Sequence, residues 1–188
     1  MRVIAGVYKS RPLRALPGMK TRPTSDRLRE TLFNVLTAGD PQALAGSVWL
    51  DLFAGTGAVG IEALSRGARQ ATFVDKNKAA VKVIGENLRS LGIRDGASVV
   101  EGEVGRALKD FEAKRFVADY VFVDPPYALE EAYRDTLMFL GKSSIVSAST
   151  VVVAEHDKRE DLGEAFEDLN RYRVLEQGDS KLSFYRKR

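Results

Sequence analysis

Asp51-Leu52-Phe53-Ala54-Gly55-Thr56-Gly57-Ala58-Val59-Gly60 is the stretch on which the fold turns. It follows the apolar run at residues 47–50 and leads into a helical pattern, so it joins a strand to a helix through a loop bearing glycines at 55, 57 and 60. Such a loop lets backbone approach a ligand closely, and the same glycine spacing serves dinucleotide-binding folds with a pyrophosphate at the helix N-terminus. Downstream, residues 71–74, 97–100, 120–123 and 151–154 read as further short strands, with a helical segment after each of the first four strands. This rhythm predicts a parallel sheet covered on both faces. Residues 172–177 and 181–186 then flank Gly178-Asp179-Ser180 as a hairpin would, so the doubly wound sheet ends in an antiparallel pair.

Upstream, residues 1–16 read as short extended segments around a turn at Lys9-Ser10-Arg11-Pro12, followed by a helix that Thr24 or Ser25 can cap. Leu28, Leu32, Val35 and Leu36 recur at helical spacing and would press that helix onto the body, before Gly39, Asp40 and Pro41 end it. The expected organisation is a basic N-terminal extension over residues 1–40, a small hairpin plus helix, and a catalytic body over residues 41–188.

A chain of 188 residues suits one core. Net charge is only +3, yet residues 1–30 carry eight Lys/Arg against two acids, so that segment is +6 and the remainder −3. A basic segment on a mildly acidic body is the electrostatic footprint expected for phosphate backbone, although a merely solvated arm has the same composition. There is no cysteine, which excludes disulfides, thiolate metal sites and a cysteine nucleophile. The opening residues break their apolar run with charge too early for a signal peptide, and no later segment approaches the roughly 20 apolar residues of a membrane span. A cytoplasmic protein without membrane contact is expected.

Two carboxylates narrow the ligand. Asp75 ends the second strand 20 residues after Gly55, where it can accept both hydroxyls of a ribose. Asp51 at the first strand's tip could hold an ammonium group but would repel a pyrophosphate, which favours S-adenosylmethionine over a nicotinamide dinucleotide. Asp124-Pro125-Pro126-Tyr127 directly follows the fourth strand, at the sheet edge where open α/β folds bind ligands. The prolines fix φ near −65° and hold the Asp124 side chain and Pro125 carbonyl toward one point. Two acceptors gripping the hydrogens of an exocyclic base amine favour a pyramidal nitrogen with a free lone pair, and Tyr127 offers a ring for the base to stack on. No metal site is visible in the carboxylates. His156, the only histidine, is read as shaping the pocket rim rather than as a general base, because an N-methylated amine loses its proton readily.

The glycine loop, Asp75 and Asp124 through Tyr127 resemble the class I S-adenosylmethionine-dependent methyltransferases that modify amino groups. Met1-Arg2-Val3-Ile4-Ala5-Gly6, Arg22-Pro23-Thr24-Ser25-Asp26-Arg27, Arg29-Glu30, Phe33-Asn34-Val35-Leu36, Glu155-His156 and Gly178-Asp179-Ser180-Lys181-Leu182-Ser183-Phe184-Tyr185 are similar to the RsmD family, the bacterial 16S rRNA guanine-N2 methyltransferases. The likeness runs along essentially the whole chain. It implies a Rossmann-like α/β fold with a seven-stranded, mostly parallel sheet and an antiparallel C-terminal hairpin strand. It also implies methyl transfer from S-adenosylmethionine, leaving S-adenosylhomocysteine, to a guanine of 16S rRNA within small ribosomal subunit particles, by a monomer. Asp124, Pro125, Pro126 and Tyr127 match the family's catalytic motif. Cofactor contacts are implied for Asp51, Phe53, Ala54, Gly55, Thr56, Gly57, Asp75, Lys76, Asn77, Glu103 and Val104. The pattern commonly has Asp where this chain has Glu103, and Thr where it has Ser180.

For the nucleic acid, Arg11, Arg14, Lys20 and Arg22 are the expected phosphate contacts. Three other readings stay open on the motif alone, one of them methylation of a protein amide such as a glutamine side chain, whose planar nitrogen poses the same chemical problem. The same four residues could present adenine N6 or cytosine N4 of DNA, and a non-catalytic RNA-binding assembly factor could retain the fold. Cytosine C5 chemistry ordinarily needs a cysteine and is disfavoured.

Overall fold

The computed structural model describes residues 1–16, 25–126 and 130–188. The elements run α1 (Asp26–Leu36), β1 (Val48–Leu52), α2 (Ala58–Ser65), β2 (Gln70–Asp75), α3 (Lys78–Leu91), β3 (Ala97–Glu101), α4 (Val104–Ala113), β4 (Ala118–Val123), α5 (Glu130–Lys142), β5 (Val146–Asp157), β6 (Ala165–Phe166), β7 (Leu169–Gln177) and β8 (Ser180–Lys187). They form one eight-stranded sheet of order β3-β2-β1-β4-β5-β8-β7-β6. β1 to β5 are mutually parallel where they pair, and β8, β7 and β6 are antiparallel to their neighbours. The strand count exceeds the seven expected by the two-residue β6, too short to leave a period in the sequence. None of the described helices is long and apolar enough to cross a membrane.

The central strands are apolar on both faces because helices cover both. All five residues of β1 are buried. On one face Trp49, Ile61, Phe73, Ile84 and Phe184 pack beneath α1, α2 and α3, with Phe33, Trp49 and Tyr120 stacked at centroid distances of 5.4 and 5.1 Å. On the other, Leu50, Leu52, Val121 and Val152 meet Leu108 of α4 and Leu137 and Leu140 of α5. Ser25 caps α1 by accepting from the Leu28 N–H, and Leu28 and Leu32 are buried as the apolar stripe predicts. The alternative cap, Thr24, lies outside the described residues.

The expected N-terminal hairpin is present as a single antiparallel bridge, Arg2 to Pro12. Backbone bonds from Leu13 to Met1, Val3 to Arg11 and Ser10 to Val3 close the hairpin around that bridge. The pairing goes no further because the next donors are taken elsewhere: both oxygens of fully buried Glu62 on α2 accept N–H groups, from Ile4 at 2.7 Å and Ala5 at 2.9 Å. Ser65 on the same helix accepts from the Tyr8 N–H and donates to the Ala5 carbonyl. Val3 and Leu13 join the core cluster of the sheet face. Gly6 passes so near α2 that a Cβ would stand 1.8 Å from the Ser65 carbonyl oxygen, at φ +80°. Gly6→Ala is therefore expected to destabilise the protein by about 2 kcal/mol or more, read as a lowered unfolding midpoint together with faster exchange of the Ile4, Ala5 and Tyr8 amides. Unchanged exchange at those amides would contradict this docking of the arm.

Candidate active site

Sheet topology builds the site. The chain winds outward from β1 through β2 to β3 and then returns to the other side of β1 for β4, so the loops after β1 and β4 diverge and open a crevice at the strand ends. Register puts the chemical groups at one level. Leu52 pairs with Val74 and Val123, and Val123 pairs with Ala154, so Phe53, Asp75, Asp124 and Glu155 each follow directly on neighbouring strands.

The glycine loop occupies unusual backbone space. Gly55 and Gly57 have φ of 56° and 75°, and Phe53, which has a side chain to accommodate, is also left-handed at 59°. Gly57 is the N-cap of α2 and has no side chain to close the first turn; buried Asp51 does so from the strand, its Oδ2 accepting the Gly60 N–H at 2.9 Å. Burial pushes the Asp51 carboxyl up to about 8, with the Gly60 hydrogen bond opposing and the charge of Asp75 adding to the rise. Among the described residues no cation pairs with it. Asp75 ties the two loops together: Oδ2 accepts from the Gly55 N–H and Oδ1 from the Asn77 N–H, both at 2.8 Å, leaving each oxygen further lone pairs for a hydroxyl.

The remaining expected cofactor residues line the same edge. Asn77 caps α3 by accepting from the Ala79 N–H, and Thr56 donates its hydroxyl to the Met1 sulfur. Glu103 sits at the N-cap of α4 without a side-chain capping bond and faces Lys76 at 3.4 Å across the strand ends, while Val104 is buried behind it. The loop and its two carboxylates fit an adenosine that carries a cationic amino acid. A side-chain-free cradle admits close approach, Asp75 has capacity for ribose hydroxyls, and Asp51 is a buried carboxyl without a positive partner among the described residues.

On the β4 side, Asp124 is half-buried, Pro125 buried and Pro126 exposed; Tyr127 lies outside the described residues. Sequence reasoning missed Tyr133. It is buried on α5, and its phenol O–H reaches the Glu155 carbonyl at 2.7 Å and the Pro125 carbonyl at 3.3 Å, fixing the strand-end geometry of β4 against β5. It also missed Asn87, fully buried on α3, whose side chain accepts from the Arg14 N–H and donates to the carbonyls of Arg14 and Thr56, joining the arm to the glycine loop. A lone polar residue on the apolar stripe Ala80, Val83, Ile84, Leu88 and Leu91 is a signal that could have found it.

His156 is buried, with Nδ1 3.1 Å from the Asp157 carbonyl and Nε2 2.9 Å from the Ser183 hydroxyl. The carbonyl can only accept, so in the neutral ring Nδ1 donates and Nε2 accepts from Ser183. Burial lowers its pKa. A histidine held neutral in the fold supports stability fully above its unfolded pKa of about 6.5 and loses that support as pH falls through the lower folded value. The unfolding midpoint is thus expected to drop from pH 7.5 to pH 5, and H156N to flatten that drop; an identical pH profile in the variant would refute the assignment.

Of the expected nucleic-acid contacts, Arg11 donates to the Ser90 carbonyl and Arg14 pairs with Glu86 at 2.9 Å, both along α3. Lys20 and Arg22 lie outside the described residues.

A parallel sheet reversing between β1 and β4, closed by an antiparallel C-terminal pair, with a glycine loop after β1 and Asp-Pro-Pro after β4, defines a class I methyltransferase. Solved structures share this architecture: a hypothetical protein of Thermus thermophilus superposes with a TM-score of 0.82 at 30% identity over 98% of each chain. The yhhF protein of Escherichia coli superposes with a TM-score of 0.80 at 31% identity, over 100% of this chain and 97% of that one. YlbH of Bacillus subtilis is 36% identical over the full length of both proteins. The chain belongs to the RsmD-like methyltransferases, the family described as "Conserved hypothetical protein 95", whose model matches residues 1–186.

Proposed function

We propose that this protein transfers the methyl group of S-adenosylmethionine to the exocyclic N2 amine of a guanine in 16S rRNA, acting as a cytoplasmic monomer on small ribosomal subunit particles. The observation that carries the reading is the alignment of Asp124 and Pro125 with the glycine loop across the crevice between β4 and β1. The RNA part is supported by relatives from Haemophilus influenzae, 33% identical over 84% of this chain and 79% of that protein, and Escherichia coli, both named "Ribosomal RNA small subunit methyltransferase D".

The target base must leave its stack to reach the strand ends, at a cost of about a few kcal/mol that is smallest in a loop. Asp124 and the Pro125 carbonyl then accept the two amine hydrogens, Tyr133 steadying that carbonyl from behind while a second lone pair stays available to the amine. When bound, S-adenosylmethionine supplies an electrophilic methyl carbon: the amine lone pair forms the new N–C bond as the C–S bond breaks, its electrons passing to sulfur. Asp124 stabilises the positive charge developing on nitrogen, and placing the reacting atoms about 3–3.5 Å apart supplies much of the acceleration. The methylated cation then releases its proton without a dedicated base, which leaves His156 to its structural bonds.

The test is methyl transfer from labelled S-adenosylmethionine to small particles lacking the modification, beside naked rRNA and duplex DNA, with the product nucleoside identified. N2-methylguanosine from the particles is the expected result. Label only in DNA overturns the substrate, and particle binding without any label replaces the enzyme by an assembly factor.

A further inference from the structure

Between the arm and α1 runs an open groove of about 560 Å³ lined by Arg2, Lys9, Ser10, Asp26, Arg27 and Glu30, among others. From it, and resting on the rRNA reading above, we infer that Arg2, Lys9 and Arg27 form the site for the phosphodiester backbone of the RNA that flanks the target base. Four observations carry this.

The arm's cations are divided in their work. Arg11 and Arg14 are engaged along α3 by Ser90 and Glu86. Among the described residues, Lys9 and Arg27 have no carboxylate within ion-pair distance, and Arg2, with its side chain 67% exposed, has only Asp26 at 3.8 Å. Asp26 is itself held more closely by buried Arg29, at 2.7 Å. The groove therefore keeps a positive surplus that its own acids do not cancel.

Its wall is fixed before any ligand arrives. Glu62 holds the Ile4 and Ala5 amides, Ser65 holds Tyr8, and Arg29 donates to the Arg2 carbonyl at 2.6 Å. Binding to such a wall loses little ordering entropy.

Its direction suits a strand leaving the crevice. Met1 receives the hydroxyl of Thr56 in the glycine loop, so Arg2 stands at the end next to the site. Lys9 and Ser10 stand in the turn at the far end of the arm, where Ser10 has a φ of 67°. Cations contributed to one groove by the arm and by α1 match the phosphates of a strand passing between them.

Its chemistry is also that of backbone rather than base recognition. Among the described residues no aromatic side chain lines the groove, so these residues offer charge and a hydroxyl without a stacking surface.

The experiment compares the full-length wild type with two double variants, K9E/R27E and R11E/R14E, and with the milder K9A/R27A. Affinity for small ribosomal particles lacking the modification is measured across a salt series, beside a duplex DNA, and S-adenosylhomocysteine affinity serves as the control for an intact fold. K9E/R27E is expected to weaken particle binding at least ~10-fold at 0.1 M salt and to lower the slope of log K against log salt by about two. K9A/R27A should show the same slope change with a smaller loss, R11E/R14E a smaller loss than K9E/R27E, and all variants cofactor affinity within about twofold of wild type. Wild-type affinity and slope in K9E/R27E and K9A/R27A would overturn the groove while leaving the rRNA reading intact. Wild-type binding to duplex DNA alone, still weakened by K9E/R27E, would overturn the rRNA reading and keep the groove as a phosphate site; loss of cofactor affinity in both Lys9/Arg27 variants would make these residues structural and overturn the proposal.

Discussion

Asp124→Ala is expected to lower the rate of methyl transfer to small ribosomal particles by about 10²–10³-fold, the range seen when one preorganised partner of a developing charge is removed. The loss should fall on kcat, with S-adenosylhomocysteine affinity within about threefold of wild type, because Asp124 belongs to the β4 strand end and not to the glycine loop. Asp124→Asn keeps one acceptor oxygen without the charge, so it should lie between the two. The prolines that follow make the comparison clean, since they hold the strand end whatever residue precedes them. Single-turnover kinetics with labelled cofactor measures all three proteins, and an Asp124→Ala enzyme transferring at the wild-type rate would remove Asp124 from the chemistry.

The second large effect concerns Asp51, and its sign changes with the state of the protein. With its pKa raised to about 8 in the free protein against about 3.9 in an unfolded chain, the carboxyl is most compatible with the fold when protonated. Its contribution is fully present below about pH 4 and is lost as pH rises through about 8. Asp51→Asn keeps an oxygen for the Gly60 N–H and removes this loss, so the ligand-free variant should be more stable than wild type at pH 9. The cofactor reverses the balance. An ammonium group beside a buried carboxylate stabilises the ionised form, so binding at pH 7 should release a proton that the variant has none to give. Loss of one member of a buried charge pair costs about 2–5 kcal/mol, which corresponds to S-adenosylhomocysteine affinity weakened on the order of 100-fold. Isothermal titration in two buffers of different ionisation enthalpy reads both quantities. Equal proton release by the two proteins would place the amine elsewhere.

What the sequence made legible follows from how local each feature is. β1, β2 and β4 read as strands because burial on both faces leaves continuous apolar runs, and the loop glycines and Asp124-Pro125-Pro126 carry their geometry within a few residues. β5 was read only over residues 151–154, whereas it spans Val146–Asp157; its first half is polar, and Thr150 satisfies itself by donating to the Ala118 carbonyl. The start of β7 was missed for a related reason: Leu169-Asn170-Arg171 lies between β6 and β8 but holds a single buried apolar residue, so it leaves no apolar run. Glu62, Asn87 and Tyr133 have roles set by partners elsewhere in the chain, so nothing adjacent to them announces the bonds they make. Glu62 and Asn87 are still betrayed by a polar side chain on a helix face otherwise committed to the core.

The seating of residues 1–16 on α2 bears on how this protein can be handled. Removing them would strip Glu62 of both amide donors, leaving it only the Arg66 ion pair, and would uncover the core face that Val3 and Leu13 close. A version trimmed to the sheet and its helices should therefore be expressed poorly rather than act as a minimal enzyme. The Met1 sulfur also rests against Thr56, so any peptide fused ahead of it would emerge at the mouth of the crevice and compete with the cofactor and the incoming base for space. Arg188 follows β8, which runs antiparallel to β5 and so ends at the opposite rim of the sheet. An affinity handle, a fluorophore or a surface anchor belongs there.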